Sequence, residues 1–342
     1  MSARQSIIPV FVPHLGCPND CVFCNQRRIS GEEEPASART VIDAVNAADK
    51  LLPAGRQRQL AFYGGSFTAI PAGQQTELLN AARECMRDGK ISSIRLSTRP
   101  DAIDGEALKR LRDYGVETIE LGAQSLDDQV LLLSGRGHTA KDVEDASAQI
   151  KAAGFRLILQ MMTGLPGDTP QKDIETAEKI IALKPDGVRI YPTVIVKDTA
   201  LYDLWKAGLY SEHTVEDAVS VCAELLPMFE DAGIPVIRLG LNPTDELSSG
   251  AAAGGAYHPA LGELVRSRIM RNKACLSLEN VPAGSMVILG TTQGKISQLI
   301  GQHRANIEYL KASFGLADIK IMPTDAQGTD IKLISIEKSK TL

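Results

Sequence analysis

Short runs of apolar, often β-branched residues alternate along this chain with longer stretches whose apolar positions recur at helical spacing. The runs at 7–12, 60–63, 93–97, 118–121, 156–161, 187–191 and 235–239 predict strands. The stretches at 38–52, 73–88, 105–114, 140–153, 170–183 and 215–232 predict helices between them. Four of those helices meet a glycine where a helix should end, at Gly89, Gly115, Gly154 and Gly233. Regular strand–helix alternation implies right-handed βαβ crossovers and a parallel sheet, an α/β fold class. In barrels of that kind the chemistry sits on loops at the C-terminal ends of the strands.

From Ser285 onward the pattern changes. A strand at 286–289, helices at 295–300 and 305–313, and strands at 319–321 and 331–336 give a small α+β unit in the order βααββ. The expected division is a first domain over 1–268, a connector over 269–284 and a second domain over 285–342.

Three of the six cysteines, Cys17, Cys21 and Cys24, fall as Cys-x3-Cys-x2-Cys just past the first strand. Thiolates suit iron–sulfur clusters, and three on one tight loop can hold three irons of a [4Fe–4S] cube while the fourth keeps open positions. A zinc knot completed by His14 and ordinary buried cysteines are the alternatives. Zinc favours Cys-x2-Cys with a second pair far along the chain, and none follows. Buried structural cysteines have no reason to fall three in eight residues. The others, Cys85, Cys222 and Cys275, are isolated, so neither a disulfide framework nor a second cluster is expected, and a reducing, cytoplasmic setting is.

Composition bounds the class and charge adds to it. With 342 residues, 44% hydrophobic and 23% charged, the chain is long enough for one large domain and a small one. No apolar run approaches the ~20 residues that span a bilayer, and the N-terminus lacks the signal-peptide pattern, so no membrane association is expected. The net charge of −5 is unevenly placed: residues 266–342 hold 11 Lys and Arg against 6 Asp and Glu, net +5, and the remainder holds 26 against 36, net −10. A basic tail on an acidic body is either a solvated surface or a contact for polyanion.

The cysteine loop, running from Val12-Pro13-His14-Leu15-Gly16-Cys17 to Cys24-Asn25-Gln26, resembles that of the radical S-adenosylmethionine (SAM) superfamily. Further blocks follow in that superfamily's order: Tyr63-Gly64-Gly65-Ser66-Phe67-Thr68, Ser97-Thr98-Arg99-Pro100-Asp101, Leu121-Gly122-Ala123-Gln124-Ser125, Arg136-Gly137-His138-Thr139, Met161-Met162-Thr163-Gly164-Leu165-Pro166-Gly167 and Arg189-Ile190-Tyr191-Pro192. Within the superfamily the blocks are most similar to the tRNA-modifying Elongator catalytic subunit group, and more weakly to oxygen-independent coproporphyrinogen III oxidase. The resemblance covers roughly 7–265 and implies a partial (β/α)6 TIM-like barrel. It also implies that the Gly- and Ala-rich stretch 248–256 is a loop over the active site that rejoins the barrel.

The resemblance further implies a [4Fe–4S] cluster on Cys17, Cys21 and Cys24, with SAM chelating the open iron through its amino and carboxylate groups. One electron then releases a 5′-deoxyadenosyl radical, which abstracts hydrogen from substrate, and an electron donor such as flavodoxin or ferredoxin is needed. Gly64, Gly65 and Ser66 match the turn that meets the methionine amino group. Gln124 and Arg136 match polar cofactor positions, and an arginine there can grip a carboxylate in fork geometry. Ser97 and Gln160 stand at cofactor positions where the comparison families place an acidic residue and a His or Asp, so the pocket is altered in detail. The sequence shows neither the basic N-terminal tRNA-binding segment nor the acetyltransferase domain of the Elongator subunit, so carboxymethylation of wobble uridine is not implied.

The tail, with Gly301-Gln302-His303-Arg304 between its two helices, resembles a KH domain, which clamps a nucleotide backbone with Gly-x-x-Gly. Arg304 replaces the second glycine. Lys295, Gly301, His303, Arg304 and Lys311 are the expected RNA contacts. The function so implied is radical SAM modification of tRNA or rRNA. The alternatives are the same chemistry on a small molecule such as a porphyrin precursor, or a non-catalytic cluster- or haem-handling protein.

Overall fold

Strands whose every second residue is a large aliphatic present one apolar face, and a parallel sheet can cover that face with its own crossover helices. That is how the first part of this chain folds in the computed structural model, which describes residues 6–12, 17, 21–25, 35–51, 57–242, 247–325 and 331–338. Strands β1 (Ser6–Phe11), β2 (Arg58–Tyr63), β3 (Ser93–Thr98), β4 (Val116–Gln124), β5 (Arg156–Thr163) and β6 (Gly187–Pro192) pair in parallel in chain order. After a short β7 (Val194–Val196), β8 (Val236–Leu239) joins the far edge beside β6 as a seventh parallel strand. Among the described residues β1 and β8 are edges that do not pair with each other, so the sheet is an open barrel.

Leu60, Phe62, Ile94, Leu96, Ile119, Leu121, Leu157, Leu159, Val188 and Ile190 are all fully buried on the outer, helix-covered face. The crossover helices are α1 (Ala38–Leu51), α2 (Ala72–Arg87), α3 (Gly105–Asp113), the short α4 (Asp128–Leu133) with α5 (Ala140–Ala152), and α6 (Pro170–Leu183), followed by α7 (Ala200–Lys206) and α8 (Val215–Asp231). Several start on a side-chain cap: Asp104, Asp127, Thr139, Thr169 and Thr199 each accept from a backbone N–H in the first turn. The alternate strand positions face inward, and they are polar: Tyr63, Arg95, Ser97, Glu120, Gln160, Arg189 and Tyr191 line one cavity of about 700 Å³. The Gly- and Ala-rich stretch is a loop that folds back. Its β9 (Ala252–Gly255) pairs antiparallel with β7, whose Val194 and Val196 also line the cavity.

The chain divides into two compact units, Met1–Thr214 with Pro227–Tyr257, and Val215–Leu226 with His258–Leu342. The sequence-derived connector over 269–284 therefore needs correction. Most of it belongs to helix α9 (Leu261–Leu278), whose Met270, Ala274 and Leu278 are buried in the core of the second unit with Val287, Leu289, Leu299, Ile307 and Leu310. An apolar stripe on α9 has to be covered, and that core covers it.

The rest of that unit has the expected βααββ order: β10 (Ser285–Thr291), α10 (Ile296–Ile300), α11 (Ala305–Phe314), β11 (Asp318–Pro323) and β12 (Lys332–Lys338). β10 is central, parallel to β11 and antiparallel to β12. Buried Asn306 ties the helices together, its Nδ2 donating to Ser267 O and Ser267 Oγ at 3.0 Å, with Gln298 O at 3.1 Å and Leu299 O at 3.2 Å also in range.

Candidate active site

The cysteine loop leaves β1 and is pinned where it can face the sheet. Val22 N donates to Ser134 O at 3.1 Å, and Leu201 N to Val22 O at 2.7 Å, so the ends of α4 and α7 hold it. Cys24 N closes a turn onto Cys21 O at 3.0 Å. Cys17 is exposed, Cys21 buried and Cys24 half-buried, and all three sulfur-bearing residues line the cavity. Partial desolvation, then the neighbouring Cys21, push the Cys17 thiol up, while Arg99, Arg136 and the backbone N–H of Ser66 oppose that shift.

The strand ends supply the rest of the rim. Gly64 follows β2 with φ of 89°, a left-handed backbone that glycine adopts without strain, and with Gly65 it lines the cavity. Gln124 ends β4 at φ of 66°, a conformation rare for a residue with a side chain, and it aims its amide to accept from Gln160 Nε2 at 3.1 Å. Arg136 reaches back from beyond α4, donating through Nη1 to Cys21 Sγ at 3.2 Å and through Nη2 to Gly122 O at 2.7 Å. The structure therefore brings Gly64, Gly65, Ser97, Gln124, Arg136 and Gln160 together around the three cysteines in one cavity.

Ser66 is different. Its side chain is fully buried, shares a hydrogen bond with Thr98 Oγ1 at 3.0 Å and accepts from Arg99 N at 3.2 Å. It ties the glycine turn to β3, and its backbone N–H, not its hydroxyl, is what faces Cys17.

Four further residues belong to the site although the sequence pattern does not mark them out. Arg99 is 4% exposed, grips Asp101 at 2.9 and 3.1 Å and donates to Arg136 O, which holds the Arg136 backbone in place. Gly122 leaves room for two of its neighbours, because a Cβ there would sit 2.8 Å from Gln124 Nε2 and 3.3 Å from Arg136 Nη2. His138 donates through Nε2 to Ala123 O at 3.2 Å, and burial, then Arg136, push its imidazole down to about 4. Glu120 sits deeper in the cavity between Arg95 and Arg189. For Glu120 the usable signal is a charged residue at an inward position of a strand otherwise built of large aliphatics.

The donor set fits an iron–sulfur cube. Cys17, Cys21 and Cys24 all line the one cavity, with Arg136 donating to Cys21 Sγ. A cube takes each thiolate on a different iron, and three on one loop supply three of its four corners. His14, which the zinc alternative needs, lies outside the described residues. A cavity of this size is also within the range that encloses a small-molecule ligand.

In the second unit only Gly301, His303 and Arg304 share the helix–helix turn. His303 and Arg304 take left-handed φ values of 49° and 63°, so Arg304 adopts the backbone that a second glycine would have supplied. Lys295 lies at the other end of α10. Lys311, an expected RNA contact, is seven residues along α11, about 10 Å by helical rise, and pairs with Asp318 at 3.7 Å, so it stands apart from the turn.

Comparison with known proteins agrees with this geometry. The family description "Radical SAM superfamily" matches residues 11–180, and "Radical_SAM C-terminal domain" matches 185–271. The tRNA uridine(34) acetyltransferase of Dehalococcoides mccartyi is 31% identical over 292 residues, covering 71% of this chain and 62% of that protein. Human Elongator complex protein 3 is 31% identical over 183 residues, 53% of this chain and 32% of that protein. The chain thus spans less than two thirds of either relative. The solved archaeal Elp3 of Methanocaldococcus infernus superposes with a TM-score of 0.62 at 22% identity over 82% of this chain and 66% of that one, a likeness of fold. Seven parallel strands opening on a three-cysteine cavity, matched by both family descriptions, assign this chain to the radical SAM superfamily, whose cofactors are a [4Fe–4S] cluster and S-adenosylmethionine.

Proposed function

We propose that this chain is a radical SAM enzyme that modifies RNA, either tRNA or rRNA. The observation that carries it is the convergence of Cys17, Cys21 and Cys24 with Gly64, Gly65, Gln124, Arg136 and Gln160 around one cavity. The three cysteines would hold the cluster, and the Gly64–Gly65 backbone, Gln124 and Arg136 would orient SAM beside it. When bound, these cofactors supply a 5′-deoxyadenosyl radical that takes hydrogen from substrate. Arg136 bridges a cysteine and a strand carbonyl, so it can set the orientation of a carboxylate relative to the thiolates. Phe23, Met162, Val194 and Val196 give the cavity an apolar wall, which would limit water in the reacting space.

RNA as substrate is supported by the relatives, one named as a tRNA uridine(34) acetyltransferase and the other as an Elongator subunit. The tail adds the βααββ order, a net charge of +5 from residue 266 onward and the left-handed Arg304 turn. A KH-like tail would hold RNA while the first unit does the chemistry, and a flavodoxin or ferredoxin would supply the electron. Among the described residues no helix is long and apolar enough to cross a membrane.

The test is anaerobic turnover of reconstituted protein with a chemical reductant. Slow release of 5′-deoxyadenosine is expected alone, with stimulation by tRNA or rRNA. Mass spectrometry of RNA nucleosides from cells with and without the protein should show one modification missing. Stimulation by a porphyrin precursor and by no RNA would replace RNA with a small molecule.

A further inference from the structure

One layer below the rim, the cavity wall holds two guanidiniums against a single carboxylate. Glu120 Oε1 accepts from Arg95 Nη1 at 2.7 Å, Arg189 Nη2 at 3.1 Å and Tyr63 OH at 3.0 Å, and Oε2 accepts from Arg189 Nε at 2.8 Å. Arg95 is 6% exposed, Arg189 9% and Glu120 2%. Glu120 is the one carboxylate among the described residues lining this cavity. Neither tyrosine supplies the missing charge, because burial, then Glu120, push Tyr63 up, and burial likewise pushes Tyr191 up.

The layer therefore carries one positive charge in excess, and Arg238, opposite Arg189 in register and lining the same cavity, adds a further cation beside it, where desolvation makes an unpaired charge expensive. Arg95 Nε is spent on Gln59 Oε1 at 2.7 Å, whereas its Nη2 has no protein partner among the described residues while the side chain lines the cavity. Among the described residues Arg189 Nη1 has Tyr191 OH as its one partner, at 3.3 Å.

We propose that the Arg95–Glu120–Arg189 layer is an anion site that takes a carboxylate or phosphate group of the substrate. Arg95 Nη2 and Arg189 Nη1 are the donors, and the anion offsets the excess charge. The site lies in the cavity of the proposed function and rests on that reading only for calling its ligand a substrate. Its binding test needs no turnover, so the two ideas fail separately.

The test titrates the full-length chain, without SAM and at fixed ionic strength in chloride, with inorganic phosphate, acetate, uridine monophosphate and uridine. Saturable binding of at least one anion is expected, with uridine at least tenfold weaker than its monophosphate if phosphate is the group recognised. Preference for acetate would instead mark a carboxylate. Arg95→Gln keeps the Glu120–Arg189 ion pair, so it should fold as the wild type does and lose anion affinity at least tenfold with SAM affinity unchanged. Glu120→Gln leaves two guanidiniums facing each other, and its melting point should rise with phosphate or acetate more than the wild type's. Equal anion binding by wild type and Arg95→Gln, or no saturable anion binding, overturns the proposal. Loss of SAM affinity in Arg95→Gln also overturns it, since the layer would then belong to the cofactor.

Discussion

Replacing Gly122 with alanine probes the cofactor pocket through one added carbon. The new Cβ would lie 2.8 Å from Gln124 Nε2 and 3.3 Å from Arg136 Nη2, where ordinary contact starts at 3.4 Å. Both colliding atoms end flexible side chains, so they can yield while the β4 backbone stays. The stability cost should sit near the low end of the ~1–3 kcal/mol range for overpacking, or about 2–4 °C in melting temperature for each kcal/mol in a domain of this size. Binding should suffer more than folding. The Arg136 Nη2–Gly122 O bond at 2.7 Å joins a charged donor to the strand, and hydrogen bonds to charged groups contribute roughly 1.5–3 kcal/mol. Loosening it while displacing the Gln124 amide should weaken SAM binding about tenfold, the equivalent of ~1.4 kcal/mol. Anaerobic equilibrium binding of SAM to reconstituted protein measures this, with iron content and thermal midpoint followed in parallel. Iron should be unchanged and the midpoint only slightly lowered. Wild-type SAM affinity in Gly122→Ala would refute the placement of Gln124 and Arg136 at the cofactor. Loss of iron would show instead that the strain runs through Arg136 into Cys21.

Cys21→Ala should abolish the brown chromophore and the roughly four irons of the reconstituted protein, and stoichiometric zinc without sulfide in the wild type would end the cluster assignment. His138, neutral and buried, has a folded pKa near 4 against an ordinary 6.5, so its contribution to stability is present above pH 6.5 and lost as pH falls towards 4; nitrogen NMR should find Nδ1 unprotonated at pH 5.5, and a titration centred near 6.5 would contradict this. Burial, then the Asp168 charge, push the Asp173 carboxyl well up, so it is protonated at neutral pH and costs increasing stability as pH rises. Asp173→Asn should match the wild type near pH 4 and exceed it at pH 8 in urea unfolding, and a less stable variant at pH 8 would count against the buried acid. In the tail, Arg304→Ala should lower the log–log salt slope of RNA binding by roughly 0.7, whereas Lys311→Ala, already occupied by Asp318, should leave it unchanged; equal effects would remove the turn from the interface.

Much of this architecture was legible in order and type of residue. The alternation of apolar runs with helical periodicity placed all seven strands of the open barrel and the βααββ tail, because a strand or crossover helix needs a local pattern to bury one face. The short helices α4 and α7 were not read, since six or seven residues carry too little periodicity. The 269–284 connector failed for a related reason: α9 has its apolar residues covered by β10, α10 and α11, partners that a reading of the helix alone does not contain.

Local spacing encodes part of the chemistry directly: three thiolates on one loop, a glycine turn after β2, and a basic tail. Which side chains meet depends on the assembled fold. Ser66 stands next to Gly65 in the chain, yet its hydroxyl turns into the wall towards Thr98. Arg136 and Cys21 are far apart in sequence and 3.2 Å apart in space. Arg95, Glu120 and Arg189 look like ordinary charged residues on three separate strands, and parallel pairing stacks them in one layer. The physical reason is that strand register turns a period of two into a shared inner face. Whether charges on that face balance is a property of the assembled sheet, and no single strand carries it.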